Sequence, residues 1–370
     1  MFGRAIVKGV ALTANVVVVL IMLATLLASV VSPQKFILPA YATLIFPLFV
    51  IINIGFVVFW ILAKKWLFLF SLVALLYVSP EISVIFPLHF GKTKVADNEK
   101  TIKVLSYNTK LNAMLVKHTA SNPNPIIDYI LNEDADIVCL QEFATSPNAD
   151  FLTAKDVVKI FRDKYPYRYI TYKAKSSWSE IGVATFSKFP IVNKDTVYFN
   201  SNYNLCQYLD VKIDDQVIRV VNVHLESNRL TKHDKDMPIE LKDDFNAEKL
   251  SGTTMHLSRK LGSAYRIRAV QADSVAALIS RTPYKLLLCG DFNDIPLSYS
   301  YTKIKGNMKD AFAESGFGLG WSYNESIFRF RIDHVMCSPE FNVIECKIGK
   351  PQGSDHYPVV SKINLNTTNF

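Results

Sequence analysis

Polar residues that could do chemistry follow apolar, strand-like segments of this sequence. In CGDFNDIP, residues 289–296, Asp291 and Asn293 come shortly after the apolar run Leu286–Leu288. In an extended chain, alternation would put these two side chains on the same side, about 7 Å apart. Polar groups at such a position are costly unless they are solvated, hydrogen-bonded or coordinating something. A polar turn would explain them equally well, because Asp and Asn are common turn residues. Both interpretations stay open for this segment alone.

The same pattern recurs along the chain. The residues in question are Asn108, Gln141, Glu142, His224, Asp291, Asn293, Asp333, Asp355 and His356. Each has a structural explanation when it is taken singly. A lone His224 is more often a hydrogen-bonded structural residue than a catalyst, and Asp333 could simply pair with Arg331. A shared site explains all of them at once, so the set favours one site built at strand ends.

The elements that must position these residues begin near residue 103. Two segments are typical of helices, NPIIDYILNEDA and AYRIRAVQADSVAALISR. Seven segments are typical of strands: KVLSYNTK, ADIVCLQEF, IGVATFSKFPI, VIRVVNVHLES, YKLLLCGDFN, FRIDHVMCS and PVVSKIN. This mixture predicts a layered α/β domain around a sheet. Residues 229–262 are charged and have little periodicity, so we expect a long surface loop there, either a lid or an insertion.

The first ninety residues are apolar enough to enter a membrane. Gly9–Val31 contains no charge over 23 residues, and Ile37–Ala63 is also uncharged. Both are long enough to cross a bilayer as helices. Trp66–Leu88 is a third candidate, but only the 13 residues of Trp66–Val78 are uninterrupted. We therefore expect about three transmembrane helices within residues 1–95, and a catalytic domain over residues 96–370. A cleaved signal peptide would explain the first segment but not the others.

Basic residues beside the spans predict the orientation of the chain. Arg4 and Lys8 precede the first span, and Lys64 and Lys65 separate the second from the third. These ends should be cytoplasmic, so the connection around Lys35 and the catalytic domain should be extracytoplasmic. If the third segment does not cross, the domain lies in the cytoplasm instead. The sequence thus predicts a multi-pass membrane protein that contacts lipid through its N-terminal helices.

Charge and cysteine content exclude some classes of function. The net charge is +8, but residues 1–95 hold seven of the 41 basic residues and only one of the 33 acidic ones. The rest of the chain is nearly neutral, so it lacks the large basic footprint of a typical DNA-binding domain. The five cysteines show no zinc-type spacing. No disulfide framework is expected, although a Cys337–Cys346 bridge stays open.

Taken together, the motifs resemble the endonuclease/exonuclease/phosphatase superfamily. The resemblance covers roughly Ile102 to Ile363 and keeps the family's order of segments: SYNTK, CLQEF, GVATFSKFPI, VNVHLES, GDFND, RIDHV and SDHYPV. It implies a four-layer α/β sandwich, in which two packed β-sheets are flanked by helices, with N-terminal transmembrane helices before it. The site would lie at one edge of the sandwich.

The resemblance also implies roles for single residues. Asn108, Glu142 and Asp355 would hold or adjoin a divalent cation, and their oxygen donors suit Mg²⁺ or Mn²⁺. The catalytic residues would be His224, Asp291, Asn293, Asp333 and His356. Asp291 and Asn293 would orient the attacking water and the phosphate, and His224 would contact the phosphate or assist proton transfer. Asp333 would pair with His356, which acts on the scissile phosphoryl group.

Two departures from the family narrow the expectation. RIDHV carries His334 where many relatives have tyrosine, and no counterpart of the active-site tyrosine of abasic-site endonucleases is found. The absent tyrosine argues against a dedicated DNA-repair role, as does the membrane anchor. The expected function is a membrane-anchored, metal-dependent phosphoester hydrolase acting on nucleic acid, a phospholipid headgroup or a small phosphate ester. A non-catalytic binding domain of the same fold is the alternative. A transporter is disfavoured because the spans lack charged residues except Glu81. No motif indicates an obligate protein partner.

Overall fold

The computed structural model describes residues 2–90, 100–111, 115–243, 246–325 and 328–365. Two six-stranded sheets and one hairpin are found in these ranges. The first sheet contains β1 (Thr101–Asn108), β2 (Ile137–Thr145), β3 (Tyr167–Lys175), β4 (Glu180–Ser187), β13 (Asn342–Ile348) and β14 (Val359–Asn364). The second contains β5 (Ile191–Tyr198), β6 (Leu205–Ile213), β7 (Gln216–His224), β8 (Lys285–Asp291), β9 (Lys309–Asp310) and β12 (Asp333–Cys337). The hairpin is β10 (Tyr323–Glu325) with β11 (Phe328–Phe330).

Each six-stranded sheet has one parallel pair near its centre. The strand orders are β13-β14-β1-β2-β4-β3 and β5-β6-β7-β8-β12-β9, in which β1 pairs with β2 and β7 with β8 in parallel. The carboxyl ends of parallel neighbours meet at the same edge of a sheet. The other neighbours of these pairs are β14 and β4 in the first sheet and β6 and β12 in the second; they run antiparallel and therefore begin at that edge. Four strand ends and four strand starts thus meet at one edge of the sandwich.

Apolar side chains fill three layers around the sheets. One cluster lies between the two sheets and includes Val104, Leu209 and Leu287. A second covers the outer face of the first sheet, against helices α6 (Pro125–Glu133) and α7 (Ala154–Phe161). The third covers the outer face of the second sheet, against α9 (Ala247–Ser280) and α10 (Tyr299–Lys305); the short α11 (Ala311–Ser315) follows β9. This arrangement confirms the predicted four-layer α/β sandwich.

The apolar N-terminal segment forms a bundle of helices. Its members are α1 (Phe2–Thr25), α2 (Leu38–Ala42), α3 (Phe46–Leu62), α4 (Phe68–Tyr77) and α5 (Ser79–Ile85), with 3-10 turns at Leu26–Ser29 and Thr43–Ile45. Two stretches, Ile6–Ser29 and Leu38–Leu62, are long and apolar enough to cross a membrane. The third predicted span is instead a pair of helices, α4 and α5, bent by 61°. Pro80 explains the break, because proline cannot continue the hydrogen bonding of the helix that precedes it.

Buried polar side chains join three of these helices. Asn15 of α1 donates to Ser71 of α4 at 2.6 Å and accepts from the indole N–H of Trp60 at 3.0 Å. Ser71 in turn donates to Asn53 of α3 at 3.0 Å. All four residues are fully buried. Interhelical hydrogen bonds of this kind hold apolar helices together where no hydrophobic effect does so. They fix α1 and α3 as antiparallel neighbours, with Lys64 at the same end as the start of α1.

The bundle contacts the sandwich at its opposite end. Gln34 donates to the carbonyl of Arg266 at 2.8 Å, and Tyr41 donates to the carbonyl of Ser258 at 2.7 Å. Leu297 of the sandwich packs into the core of the bundle. The predicted domain boundary between residues 95 and 96 lies outside the described residues and stays a prediction.

The expectation of a long loop at residues 229–262 is wrong. The chain forms α8 (Lys232–Asp243) and the first half of α9 there, with residues 244–245 outside the described ranges. Thr231 and Asp234 bond each other's backbone at the start of α8, and Asn246 caps α9 by accepting from the backbone of Glu248. Such caps satisfy the free N–H groups at helix starts. Periodicity is weak because only a narrow stripe of this helical pair contacts the rest of the protein.

Candidate active site

The carboxylate of Asp291 lies at the centre of the site. Its Oδ2 accepts from the side-chain amides of Asn108 at 2.9 Å and Asn293 at 3.2 Å, and its Oδ1 accepts from the backbone of Asn293 at 2.7 Å. Burial, and then the charge of Asp333, raise the pKa of Asp291 to about 6, although nearby histidines and the Asn108 hydrogen bond oppose the shift. Asp291 is therefore ionised at neutral pH and titrates close to it.

A turn, not an extended strand, brings Asn293 to Asp291. Asn293 has a φ of +51°, a left-handed conformation that Asn tolerates better than most residues. Its side chain also donates to the carbonyl of Leu225 at 3.0 Å. The sequence correctly grouped the two side chains, but the spacing of about 7 Å expected from alternation is replaced by a direct hydrogen bond. Positive φ values at such positions are typical of functional sites.

Asp333 and His356 form a buried pair. The Nδ1 of His356 lies 2.9 Å from Oδ2 of Asp333. Burial by itself would lower the pKa of His356, but the charges of Asp333 and Asp291 outweigh it and raise the pKa to about 10. The imidazole is therefore a cation at neutral pH, and its Nε2 lies 3.9 Å from Oδ2 of Asp291. The alternative pairing of Asp333 with Arg331 is wrong, because Arg331 pairs with Asp310 at 2.6 Å.

Two serines that were missed in the sequence hold this pair in position. Ser322 accepts from the backbone N–H groups of Ile332 and Asp333 at 3.0 and 2.9 Å. Ser354 accepts from the backbone of His356 at 3.0 Å and donates to the carbonyl of Asn108 at 2.9 Å. The second serine has a signal in the sequence, since it directly precedes the Asp-His pair of GSDHYP. Ser322 has no such signal in the sequence, because it is eleven residues away from Asp333, which it positions.

A bulge in β2 directs Glu142 toward the site. The pairing of β2 with β4 shifts between Leu140 and Phe143, so one extra residue is inserted. Leu140 and Phe143 both pack into the outer core of the first sheet, and Glu142 adopts a φ of +48°. Strict alternation would have placed Glu142 on the outer face with Leu140. Bulges are known to redirect side chains beside active sites.

His224 faces two carboxylates from the end of β7. Its Nε2 lies 3.8 Å from Oδ2 of Asp291 and 3.9 Å from Oε1 of Glu142, too far for hydrogen bonds. The ring is buried, and within the described ranges this nitrogen has no hydrogen-bond partner. His224 is therefore placed to contact a group that enters between the carboxylates.

A cavity of about 260 Å³ lies over these residues. Glu142, Asn293, Asp355 and His356 line it. The other four predicted residues, Asn108, His224, Asp291 and Asp333, lie beneath that lining and are buried. The carboxylate of Asp355 also lies 3.4 Å from the ammonium of Lys110. The eight residues given roles from the resemblance thus converge on one place, although they come from segments up to about 250 residues apart, whereas Gln141 is buried between the sheets and donates to Asn222 at 2.7 Å.

Arg268 is a further residue of the cavity that sequence reasoning missed. It is fully buried and donates to the carbonyl of Glu226 at 2.8 Å and to Asn228 at 2.9 Å. Its Nε lies 3.3 Å from the carboxylate of Asp294, which also lines the cavity. The sequence held one signal for Arg268: it lies on the same face of the predicted helix as Tyr265 and Ala272. Arginine at such a buried position needs a charged partner.

Comparison with known proteins identifies the family. The model of the endonuclease/exonuclease/phosphatase family matches residues 105–356. The chain belongs to this family. A second model, described as a domain of unknown function, matches residues 7–85. No curated protein sequence matches the chain.

The chain is similar to several solved structures. An endonuclease/exonuclease/phosphatase from Beutenbergia cavernae is 16% identical with a TM-score of 0.50, and the alignment covers 72% of each chain. Truncated Caenorhabditis elegans TDP2 is 19% identical with a TM-score of 0.47 over 71% of this chain and 97% of its own. Sphingomyelinase C from Streptomyces griseocarneus is 21% identical with a TM-score of 0.47 over 71% and 99%. At 16% identity, the similarity to the Beutenbergia cavernae structure shows only that the fold is shared.

The chemistry of the donors fits a hard divalent cation. Glu142 and Asp355 present partly exposed carboxylates to the same cavity, and both offer oxygen only. Asp291, Asp333 and His356 also form a compact group of possible ligands. However, Nδ1 of His356 and Oδ2 of Asp333 already form a hydrogen bond of 2.9 Å with each other, so these two atoms are not free to bind a metal. The cavity carboxylates are therefore the better candidates for a cation that prefers oxygen, such as Mg²⁺.

Proposed function

We propose that the protein is a membrane-anchored, divalent-metal-dependent phosphodiester hydrolase. The observation that carries the proposal is the position of ionised Asp291 within 3.9 Å of the charged imidazole of His356, beneath a cavity lined by Glu142 and Asp355. A base, a cation that faces the substrate and oxygen ligands for a metal are the groups that hydrolysis of a phosphoester needs.

Each group has a distinct task in this mechanism. Asp291 accepts the proton of the attacking water, and its pKa of about 6 keeps it ionised at neutral pH. Asn108 and Asn293 hold its oxygens in place. The imidazolium of His356, kept charged by Asp333, donates to a phosphoryl oxygen as negative charge develops on it.

His224 and the cavity carboxylates complete the proposed assignment. His224, whose Nε2 lies near the carboxylates of both Asp291 and Glu142, donates to a second phosphoryl oxygen. Glu142 and Asp355, with Asn108 adjoining, would hold Mg²⁺ or Mn²⁺. When bound, such a cation supplies Lewis-acid stabilisation of the phosphoryl oxygens.

The anchor and its orientation are part of the proposal. The sandwich contacts the bundle through Gln34 and Tyr41, at the end away from Lys64. The end of α5 is at this side too, because the carbonyl of Val84 accepts from Arg331 at 2.7 Å. At 1.5 Å per residue, α4 and α5 have a combined length of roughly 25 Å, which their 61° bend shortens to roughly 22 Å end to end. The pair nevertheless runs from the Lys64 end of the bundle to the end that contacts the sandwich. This supports three crossings and an extracytoplasmic catalytic domain.

The test is an assay of the full chain in detergent with Mg²⁺, using a soluble diester such as bis(4-nitrophenyl) phosphate. We expect activity that is lost with chelator and restored by Mg²⁺. The variant His356→Ala should lower kcat by about 10² to 10⁴ at saturating metal, the range typical of acid/base residues. His233→Ala, at an exposed histidine of α8, is the matched control and should behave like the wild type. Full activity in excess chelator, or an unchanged kcat in His356→Ala, would contradict the mechanism.

A further inference from the structure

One wall of the catalytic cavity is apolar. It is built from Leu44 of the N-terminal bundle, Leu257 and Leu261 of α9, and Phe328 and Phe330 of the hairpin. Glu142 and His356 line the same space. Water, phosphate and a metal need no apolar wall of this size. The substrate therefore has an apolar part next to its phosphoester.

A second cavity continues from the first toward the membrane helices. Its volume is about 240 Å³, and Leu44, Ile295 and Phe330 line both cavities. Its other walls include Pro47 at the start of α3 and Ile85 at the end of α5. The second cavity thus lies between the hairpin and the end of the bundle that contacts the sandwich. We call the two together the apolar groove.

The charges around the catalytic cavity argue against nucleic acid as the substrate. The Lys and Arg side chains that line the first cavity are each paired with an acid: Arg229 with Glu226, Lys235 with Glu325 and Arg268 with Asp294. Lys110 is likewise paired with the lining residue Asp355. A polyanion binds through cationic groups that release counterions, and paired groups have little such charge to offer. An apolar groove also gives no favourable contact to a sugar–phosphate backbone.

We propose that the substrate is a membrane glycerophospholipid, held with its acylglycerol part in the apolar groove and its phosphodiester at His356. This inference rests on the proposed function and names its substrate class. The groove starts where the apolar spans end, so a lipid reaches it without leaving the bilayer entirely. In the reaction, the oxygen of water forms a bond to phosphorus and one of the two ester P–O bonds breaks. One water proton passes to Asp291, which later returns it to solvent, and the leaving oxygen takes up a proton from solvent and is released as an alcohol.

The test compares a lipid with a soluble diester on the same protein. The full chain is placed in nanodiscs of phosphatidylcholine, phosphatidylethanolamine and phosphatidylglycerol with Mg²⁺, and lipid products are measured by mass spectrometry. Bis(4-nitrophenyl) phosphate is measured in parallel, and plasmid DNA is the competing substrate. The readout is the ratio of kcat/KM for lipid to kcat/KM for the soluble diester, because this ratio cancels losses of folded protein.

Variants of the groove should change this ratio. Leu44→Glu and Phe330→Glu place a charge in the apolar groove, and we expect each to lower the ratio at least tenfold. Phe330→Leu keeps the groove apolar and should retain most of the ratio. Leu250→Glu is the matched control, because Leu250 lies on α9 but lines neither cavity, and it should leave the ratio unchanged.

The possible failures are distinguishable. Cleavage of the soluble diester with no cleavage of any lipid would overturn the lipid inference and leave the proposed function standing. So would an unchanged ratio in both charged variants, or a preference for plasmid DNA. A wild type that cleaves none of the substrates would overturn the proposed function, and the inference with it.

Discussion

The side chain of Asn108 donates a 2.9 Å hydrogen bond to the carboxylate of Asp291, across the gap between the two sheets. The two residues end β1 and β8, which are 183 positions apart in the chain. This bond joins the two halves of the sandwich at the site itself. A base supported in this way keeps its orientation without reorganisation during the reaction.

Loss of this bond should shift the pH dependence of the reaction. Asn108→Ala removes a donor that favours the ionised form of Asp291, so the pKa of Asp291 rises further above its present value of about 6. A hydrogen bond to a charged group contributes about 1.5–3 kcal/mol, which corresponds to roughly one to two pH units. We expect the acid limb of the kcat/KM profile to move upward by this amount. Asn132→Ala, which removes an exposed bond to Asp128, is the control and should leave the limb in place.

The buried histidine should make folding stability depend on pH. The pKa of His356 is raised from 6.5 to about 10 in the folded protein. Its stabilising contribution is therefore fully present below about pH 6.5 and is lost as the pH rises through 10. The contribution of Asp291, whose folded pKa is also raised, is lost earlier, between about 3.8 and 6.

Thermal unfolding of the protein in detergent between pH 6.5 and 10 measures the effect of the histidine. We expect Tm to fall across this window, for a free-energy change on the order of a few kcal/mol. In His356→Gln the slope in this window should flatten, while the decline between pH 4 and 6 remains. An equal slope in both proteins would mean that the pair does not hold the histidine in its charged form.

Many residues of the site could be predicted from the sequence, because they lie at the ends of strands. Gly290 shows how tightly one of these ends is specified, since a Cβ there would lie 2.2 Å from the carbonyl oxygen of Val223. The apolar run Leu286–Leu288, followed shortly by an acid, was enough to find Asp291. The direction of Glu142 could not be found in this way, because it depends on an extra residue in β2 that only pairing with β4 reveals.

Tertiary contacts decided the other differences. β6 (Leu205–Ile213) was not anticipated, because LCQYLDVKI mixes polar and apolar residues; in the sandwich Gln207 is buried and bonds Thr185 at 2.6 Å. The helical residues 232–243 and 247–262 were taken for a loop because their stabilising pairs, such as Asp234 with Lys260 at 2.5 Å, are charged. The role of these helices as a wall of the cavity depends on contact with the N-terminal bundle, which no local sequence pattern predicts.

Metal binding should depend on Glu142 more than on the histidines. Glu142→Gln keeps the shape of the side chain but removes its charge, so the Mg²⁺ concentration for half-maximal activity should rise at least tenfold. Binding of Mn²⁺ followed by electron paramagnetic resonance should weaken in parallel, independently of turnover. Glu340→Gln is the control, because Glu340 is exposed and follows the end of β12, whereas Asp333 of the site stands at the start of that strand. Equal Mn²⁺ affinity of Glu142→Gln and the wild type would remove Glu142 from the proposed ligand set.

The orientation of the protein is open to a labelling test. All five native cysteines are buried and free, so an impermeant maleimide should report only on introduced ones. Asp163→Cys marks the sandwich, where the native side chain is 86% exposed. Trp66→Cys marks the opposite end of the bundle, beside Lys65, where the native side chain is also exposed.

Three crossings with cytoplasmic Lys64 and Lys65 predict labelling of Asp163→Cys on intact cells and of Trp66→Cys only after lysis. The physical reason is that the sandwich contacts the bundle at the end away from these lysines, through Tyr41 and Ser258. The unsubstituted protein should remain unlabelled in both conditions, which controls for its buried thiols. Labelling of Trp66→Cys alone on intact cells would invert the orientation. Labelling of both positions without lysis would mean that the bent pair α4–α5 does not separate the two ends.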